Sequence, residues 1–175
     1  MALIVEDGSG LANSQSYVSE EDAREYAAGR GVELPADDSA ISPMLISAMD
    51  YLEAQRARFQ GTKTHPGVQA LQWPRTGVTL DCSYLLPGDV IPVELKSAQM
   101  ALALEVFAGR TLMPSSDGRA VKREKVDVIE REFMTATDLG QGGLPVPVFP
   151  AVDALLAPLF DACGPKGFRL RTVRV

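Results

Sequence analysis

The residue types that commonly carry out chemistry are few and scattered in this sequence. The only histidine, His65, precedes Pro66 and has no serine, cysteine or carboxylate at the spacing of a nucleophile and its base. A single histidine also makes a zinc site hard to build, and Cys82 and Cys163 form no C-x-x-C pair. We therefore predict no catalytic residue, no metal site and no cofactor, and we interpret both cysteines as free thiols.

The acidic clusters and a glycine-rich segment have simpler explanations than a reactive site. The carboxylates at 20–22 and 37–38 stand where helices are predicted to begin, and there they compensate the positive end of the helix dipole. The sequence LGQGG at 139–143 lacks the lysine, the preceding strand and the following helix of a phosphate-binding loop. We interpret it as part of a linker.

The composition indicates one soluble domain. The chain has 175 residues, of which 46% are hydrophobic and 23% charged, with a net charge of −6. Such an acidic chain lacks long-range attraction to duplex DNA or to an anionic membrane, so any contact with nucleic acid must come from a local patch. Neither the opening sequence MALIVEDGSG nor any apolar run fits a targeting signal or a membrane span. We expect the protein to stay in the compartment where it is made.

Hydrophobic periodicity and capping residues predict four helices. The first follows Ser19, whose hydroxyl is placed to cap it. The second has two possible starts, with Asp38 as its cap or at Ser42 with Pro43 in the first helical position. The third begins near Pro92 and is apolar over much of its circumference. It is therefore either the central helix of the domain or one that also meets another subunit. A short fourth helix follows Pro150.

Extended segments connect these helices, and the predicted class is mainly α with a small β-hairpin and extended termini. Residues 61–91 predict a long but ordered loop, because apolar side chains lie among its prolines and glycines. A charged, partly alternating segment after the third helix predicts one or two exposed strands. The predicted organisation is a single helical domain at 1–160, with the loop 61–91, a strand pair at 119–135 and a linker at 136–150, followed by an extended basic tail at 161–175.

The basic tail is the most informative local feature of this acidic chain. From Lys166 to Val175 its positive side chains are interleaved with apolar ones, and no acidic residue interrupts them. Three interpretations remain open: a solvated terminus, a nucleic-acid contact, or a strand that docks on another protein. The apolar alternation favours docking, for which the candidate residues are Phe168, Arg169, Leu170, Arg171, Val173 and Arg174.

The only tryptophan, Trp73, lies in the segment LQWPRTGV at 71–78. In one interpretation it is a core residue that fixes the long loop by burying its large side chain. In the other it contacts an adjacent subunit, with Arg75 as the polar member of an aromatic hot spot. Both interpretations are compatible in a ring, so Trp73, Pro74 and Arg75 are candidates for a loop anchor and subunit contact.

Several blocks of the sequence occur in an order that resembles a known family. They are MALIVEDGSGLANSQSYVS, AMDYLEAQRARFQGTKT, QALQWPRTGV, IPVELKSAQMALAL and FPAVDALLAPLF. From Ala2 to Phe160 the chain is similar to the head-tail connector (adaptor) proteins of tailed phages and prophages, whose members are often labelled DnaT-like single-stranded-DNA-binding proteins. The matching elements, which we interpret as determinants of fold and ring packing, are Tyr17, Ser19, Asp50, Tyr51, Leu52, Trp73, Pro74, Arg75, Ile91 and Pro92.

The resemblance implies an α-helical adaptor-type bundle that is a structural virion protein rather than an enzyme. Its copies would form a homo-oligomeric, dodecameric ring beneath the portal protein and join it to the downstream head-closure or tail-terminator protein. DNA would pass through the lumen without sequence-specific binding, and no membrane would take part. The expected location is the virion neck, reached from the host cytoplasm during assembly.

The alternative function is the single-stranded-DNA binding that the family label suggests. It requires aromatic stacking platforms inside a basic groove. Aromatic residues make up only 6% of this chain and are dispersed, so the sequence favours the connector.

Overall fold

Four helices and three small antiparallel sheets make up the described part of the chain. A computed structural model describes residues 3–113, 120–125, 130–134 and 148–160, with the second and third of these ranges described by their backbone pairing. The helices are α1 (Glu20–Ala28), α2 (Asp38–Ala54), α3 (Val93–Phe107) and α4 (Pro150–Phe160). The strands are β1 (Thr62–Lys63), β2 (Arg75–Thr76), β3 (Thr79–Leu80), β4 (Tyr84–Leu85), β5 (Ala120–Lys125) and β6 (Glu130–Met134).

The capping residues explain where the first two helices begin. Ser19 Oγ accepts from Asp22 N (3.1 Å) and Asp22 Oδ2 accepts from Ser19 N (3.0 Å), a reciprocal capping box that confirms the predicted start of α1. These hydrogen bonds to Ser19 hold the pKa of Asp22 below its usual value. Helix α2 is capped instead by Asp37, whose carboxylate accepts from Ser39 N (3.0 Å). The cap therefore lies one residue before the predicted Asp38, and the alternative start at Ser42 is wrong.

Helix α3 is the central helix of the fold. It packs against α1, α2 and α4, and Leu95, Ala98 and Leu102 have no exposed surface. Only its two end residues, Val93 and Phe107, are exposed. The apolar circumference seen in the sequence is thus explained by burial inside one subunit, which confirms the first of the two predicted roles.

A buried amide joins the chain before α1 to this helical core. Gln99 on α3 is fully buried, and its Nε2 donates to Ser16 Oγ (2.8 Å) and Leu45 O (3.1 Å). Its Oε1 accepts from Tyr17 N (3.0 Å). Because every polar atom of this amide is paired, the group fixes the segment at 16–18 without an unsatisfied buried atom.

Helix α4 closes the other side of the core. Val152, Leu156 and Leu159 are buried on one face, as its apolar spacing predicts. Phe149, inside the segment predicted to be a linker, is also buried and makes an edge-to-face contact with Tyr51 on α2 (ring centroids 5.6 Å apart). The helical core therefore includes the residue that precedes α4.

The prediction of a mainly α bundle is wrong, because the described chain is a mixed α/β structure. The long loop contains two antiparallel pairs: β1 with β2, and β3 with β4. Each strand has two residues, too few to show the alternation of polar and apolar side chains that identifies strands in a sequence. The turn between β3 and β4 also places Asp81 and Cys82 at positive φ (49° and 58°), a conformation that few non-glycine residues adopt.

The third sheet lies in the segment for which exposed strands were predicted. Strands β5 and β6 are antiparallel, with Ala120 opposite Met134 and Lys125 opposite Glu130. The register shifts between Val121 and Arg123, as at a β-bulge. Within the part of the chain that the structure describes, no helix has both the length and the apolar character needed to span a membrane.

Candidate functional site

The long loop at 61–91 is built around Trp73, which has no exposed surface. The indole packs edge-to-face on Phe59, with ring centroids 5.7 Å apart. The peptide bond from Trp73 to Pro74 is cis, and Pro74 is buried as well. The indole Nε1 is buried and has no hydrogen-bond partner among the described residues. Packing, rather than polar contact, holds this side chain in place.

Tyr17 and Glu53 connect the loop to the helical core. Tyr17 Oη donates to Glu53 Oε1 (3.2 Å) and accepts from Trp73 N (3.0 Å). Glu53 Oε1 also accepts from Gln72 N (2.9 Å). Two successive backbone amides of the loop, those of Gln72 and Trp73, therefore donate to the Glu53–Tyr17 pair. Burial, together with the nearby charge of Glu53, raises the pKa of Tyr17 well above its usual value. The phenol is thus held in its neutral, hydrogen-bonding form.

Arg75 is buried and donates to the loop's own backbone. Its Nε donates to Gln60 O and its Nη2 to Gly61 O, both at 2.7 Å, while Nη1 donates to Gln72 Oε1 (3.2 Å). Gly61 has a φ of +65°, and a Cβ there would lie 2.1 Å from Thr76 O, so only glycine fits. Burial lowers the pKa of Arg75 from its usual value. The guanidinium shapes the loop, and its role as a subunit contact stays a prediction.

Two glutamines complete the scaffold of the loop. Gln69 Oε1 accepts from His65 N (2.8 Å), and its Nε2 donates to Leu71 O (2.9 Å) and Pro74 O (3.1 Å). Gln60 Nε2 donates to Pro158 O (2.9 Å) on α4. Such amide contacts replace the backbone pairing that a long irregular segment lacks.

A buried carboxylate organises the N-terminal turn. Glu6 is 1% exposed, and its Oε1 accepts from Gly8 N (3.0 Å) and Gly10 N (2.8 Å). Its Oε2 accepts from Leu11 N (2.9 Å) and Ser14 Oγ (3.0 Å). Four donors on one carboxylate compensate the cost of burying its charge. The sequence does not reveal this group, because three of the four donors are backbone amides that no side-chain pattern shows.

The surface of the described core is acidic and includes exposed apolar residues. Residues 3–113 and 148–160 contain sixteen acidic and eight basic side chains. Their aromatic residues lie mainly in the interior, although Tyr84 and Phe107 are exposed. The large apolar side chains that face solvent are Ile4, Ile46, Val68, Tyr84, Leu85, Val90, Val93, Phe107, Met113 and Val148.

A groove of about 320 Å³ lies between α1 and α3. The guanidinium of Arg30 covers the ring of Tyr26 on its wall, with Cζ 3.3 Å from the ring centroid. Lys96 adds a second positive charge, but Asp22 and Glu25 line the same groove. Because charges of both signs meet there and the aromatic face is already occupied, the groove favours neither anions nor cations.

Among the residues that the structure describes, those considered for chemistry are not brought together. His65 is exposed, and its ring lies next to Gly10. Among residues 3–113 and 148–160, no group of three or more histidine, cysteine or carboxylate side chains could hold a metal ion. Cys82 is disulfide-bonded, so the interpretation of this residue as a free thiol is wrong. Spacing along a chain does not report which cysteines the fold brings within bonding distance.

Two sets of predicted residues have different outcomes in the structure. Trp73, Pro74 and Arg75 are described and form the buried centre of the loop. The predicted docking residues Phe168, Arg169, Leu170, Arg171, Val173 and Arg174 lie outside the described residues, as does Cys163. Their role therefore stays a prediction.

The described site is thus a buried polar scaffold beneath an acidic, partly apolar surface. Comparison with known proteins gives the family. A family model described as "Putative DnaT-like ssDNA binding protein" matches residues 1–175, and the chain belongs to this family. No curated protein and no solved structure matches the chain.

Proposed function

We propose that this chain is a structural subunit of a phage or prophage neck, a head-tail connector that forms a ring between the portal and the next neck or tail component. The observation that supports this proposal best is the surface of the described core. Acidic side chains outnumber basic ones two to one there, while apolar side chains as large as Leu85 and Phe107 face solvent. Such a surface suits contact with protein more than with phosphate.

A ring places different faces of each subunit against one another. The exposed apolar residues are distributed over α2, α3 and the long loop, for example Ile46, Val93 and Val68, which fits contacts on more than one face. An acidic lumen would repel the phosphates of passing DNA, whereas one rich in lysine and arginine would retain it through counterion release. No enzymatic step and no cofactor form part of this proposal.

The basic tail completes the connector proposal as the segment that docks on the portal. The test is light scattering of the full chain, alone and mixed with its candidate portal protein. We expect a ring, or a monomer that assembles only on the portal. The double variant Phe168→Ser/Leu170→Ser should lose portal binding, whereas Val175→Ser, which changes an apolar residue of the same tail outside the six predicted docking residues, is the matched control. A monomer that ignores the portal would overturn the proposal.

The second candidate function is binding of single-stranded DNA, and the family description favours it more directly than it favours the connector. The distribution of charge adds to it, because the basic side chains outside the acidic core are concentrated in two segments. Residues 119–125 contain four basic side chains and one acidic, and residues 166–175 contain four basic and none acidic. A local basic patch of this kind is the minimum for phosphate contact.

Salt dependence separates the two candidates. Binding of a fluorescent oligothymidine should weaken as salt rises, with a slope of about −0.7 in log K against log salt for each phosphate contacted. Arg169→Gln/Arg171→Gln should make that slope shallower if the tail contacts phosphate. An oligonucleotide that does not bind even at low salt would eliminate this candidate and leave the connector.

A further inference from the structure

The β3–β4 hairpin exposes apolar side chains at the surface of the long loop. Tyr84 is 56% exposed and Leu85 is 66% exposed. Their cross-strand neighbours, Leu80 and Thr79, are partly buried. An exposed aromatic residue next to an exposed leucine is typical of a contact surface rather than of a solvated turn.

The end of α4 is fixed beside this hairpin by Gln60. Its Nε2 donates to Pro158 O (2.9 Å), its backbone N donates to Leu159 O (3.0 Å), and its Oε1 accepts from Thr79 N (3.3 Å). One residue thus joins the last turn of α4 to strand β3. The chain therefore continues into residues 161–175 from a point next to the hairpin.

A covalent bond at the hairpin points to the same segment. Cys82 lies in the turn between β3 and β4 and is disulfide-bonded. The sequence has two cysteines, and the other, Cys163, comes three positions after Phe160, the last residue of α4. An intrachain bond from Cys82 therefore requires a partner at the start of the C-terminal segment.

The chemistry of the hairpin and of the C-terminal segment is complementary. Asp81 and Asp89 flank the exposed apolar pair and are themselves exposed. The tail offers positive side chains such as Arg169 alternating with apolar ones such as Phe168 and Leu170. A strand with that alternation can cover apolar side chains and place positive charge near the two carboxylates.

We propose that residues 161–175 dock on the β3–β4 hairpin of the same chain, with Cys163 bonded to Cys82 and the apolar tail side chains covering Tyr84 and Leu85. This inference does not depend on the function proposed above. A protein or nucleic-acid partner that binds the tail would first have to displace it from the hairpin.

Peptide mapping of the full chain without reductant tests the covalent part. Trypsin should yield the peptide 76–96, which contains Cys82, linked to the peptide 132–166, which contains Cys163. The undigested chain should migrate as a monomer on a non-reducing denaturing gel. A dithiol should separate them, since thiol–disulfide exchange returns two cysteine thiols while the dithiol becomes a cyclic disulfide. Two free thiols, or a link between two chains that migrates as a dimer, would overturn the proposal.

Hydrogen exchange of the amides at 79–86 tests the docking itself. Relative to the unaltered chain, Phe168→Ser/Leu170→Ser and Cys163→Ser should each accelerate exchange there several-fold, because the docked tail no longer protects the hairpin amides. Val68→Ser, in the same loop but outside the hairpin, should leave it unchanged. Identical exchange in all four proteins would overturn the docking of the tail, even where the disulfide is found.

Discussion

The loop around Trp73 and the turn around Glu6 are both irregular, and each is ordered by one buried side chain of opposite character. Trp73 is fully buried and acts by packing, with Phe59 against its ring. Glu6 is nearly as buried, but it acts through four hydrogen bonds from residues no more than eight positions away. One anchor is apolar and belongs to the hydrophobic core, and the other is charged and local.

The two segments should therefore respond differently when their anchoring side chains are replaced. Removing a large apolar side chain leaves a cavity in the core, so the whole fold loses stability. Removing a charged acceptor leaves nearby backbone donors unpaired, so the cost falls first on the turn that they belong to. Three substitutions test this distinction.

The largest expected effect is that of Trp73→Ala. We expect the free energy of unfolding to fall by about 3–5 kcal/mol, because the variant loses buried surface and leaves a cavity beside Phe59. Denaturant titration monitored by circular dichroism measures it. The control is Val68→Ala, which truncates an apolar side chain of the same loop that is 63% exposed and should cost about 0.5 kcal/mol or less. Equal losses for the two variants would contradict a core role for Trp73.

The helices could be predicted from the sequence because their signals are local. Ser19 and Asp22 stand at the spacing of a capping box, and the apolar period of residues 93–107 identifies the central helix. The start of α2 was missed because Asp37, Asp38 and Ser42 are all good caps and only the folded backbone selects one.

The scaffold of the loop and the class of the fold could not be predicted in the same way. The contacts of Tyr17 with Glu53 and with Trp73 N join residues 36 and 56 positions apart, and no short motif encodes them. Arg75 was identified as a candidate from its place beside Trp73, but its partners are backbone carbonyls, which every sequence contains. For the same reason, two-residue strands paired inside a proline- and glycine-rich loop left no pattern.

An intermediate and more local effect is expected for Glu6→Gln. The amide places an N–H where the carboxylate accepted hydrogen bonds, so at least one donor of the turn loses its partner, at a cost of about 2–3 kcal/mol. Hydrogen exchange should accelerate at the amides of Gly8, Gly10 and Leu11, which donate to Glu6.

The adjacent carboxylate gives the control for this substitution. Asp7 is exposed and accepts from the backbone N of Ser9 (2.9 Å), so Asp7→Asn should change stability less than Glu6→Gln. If both variants lost the same stability, or if exchange in Glu6→Gln rose equally throughout the chain, the Glu6 turn would not be the local unit described above.

The smallest effect at neutral pH is expected for Tyr17→Phe, which alters the residue that contacts both the helical core and the Trp73 loop. Losing the hydroxyl removes the bonds to Glu53 and Trp73 N and should cost about 1 kcal/mol. Tyr26→Phe, which removes a partly exposed hydroxyl from α1, is the matched control for the chemical change.

The same variant has a distinct signature in alkali. Burial and the charge of Glu53 raise the pKa of Tyr17 in the folded protein, so the folded state keeps a proton that the unfolded state loses above about pH 10. This contribution to stability is therefore complete below about pH 10 and declines as the pH rises further, in the unaltered chain but not in Tyr17→Phe. Unfolding free energies measured across that range should fall more steeply for the unaltered chain, and parallel slopes would show that the Tyr17 hydroxyl is not held between the core and the loop.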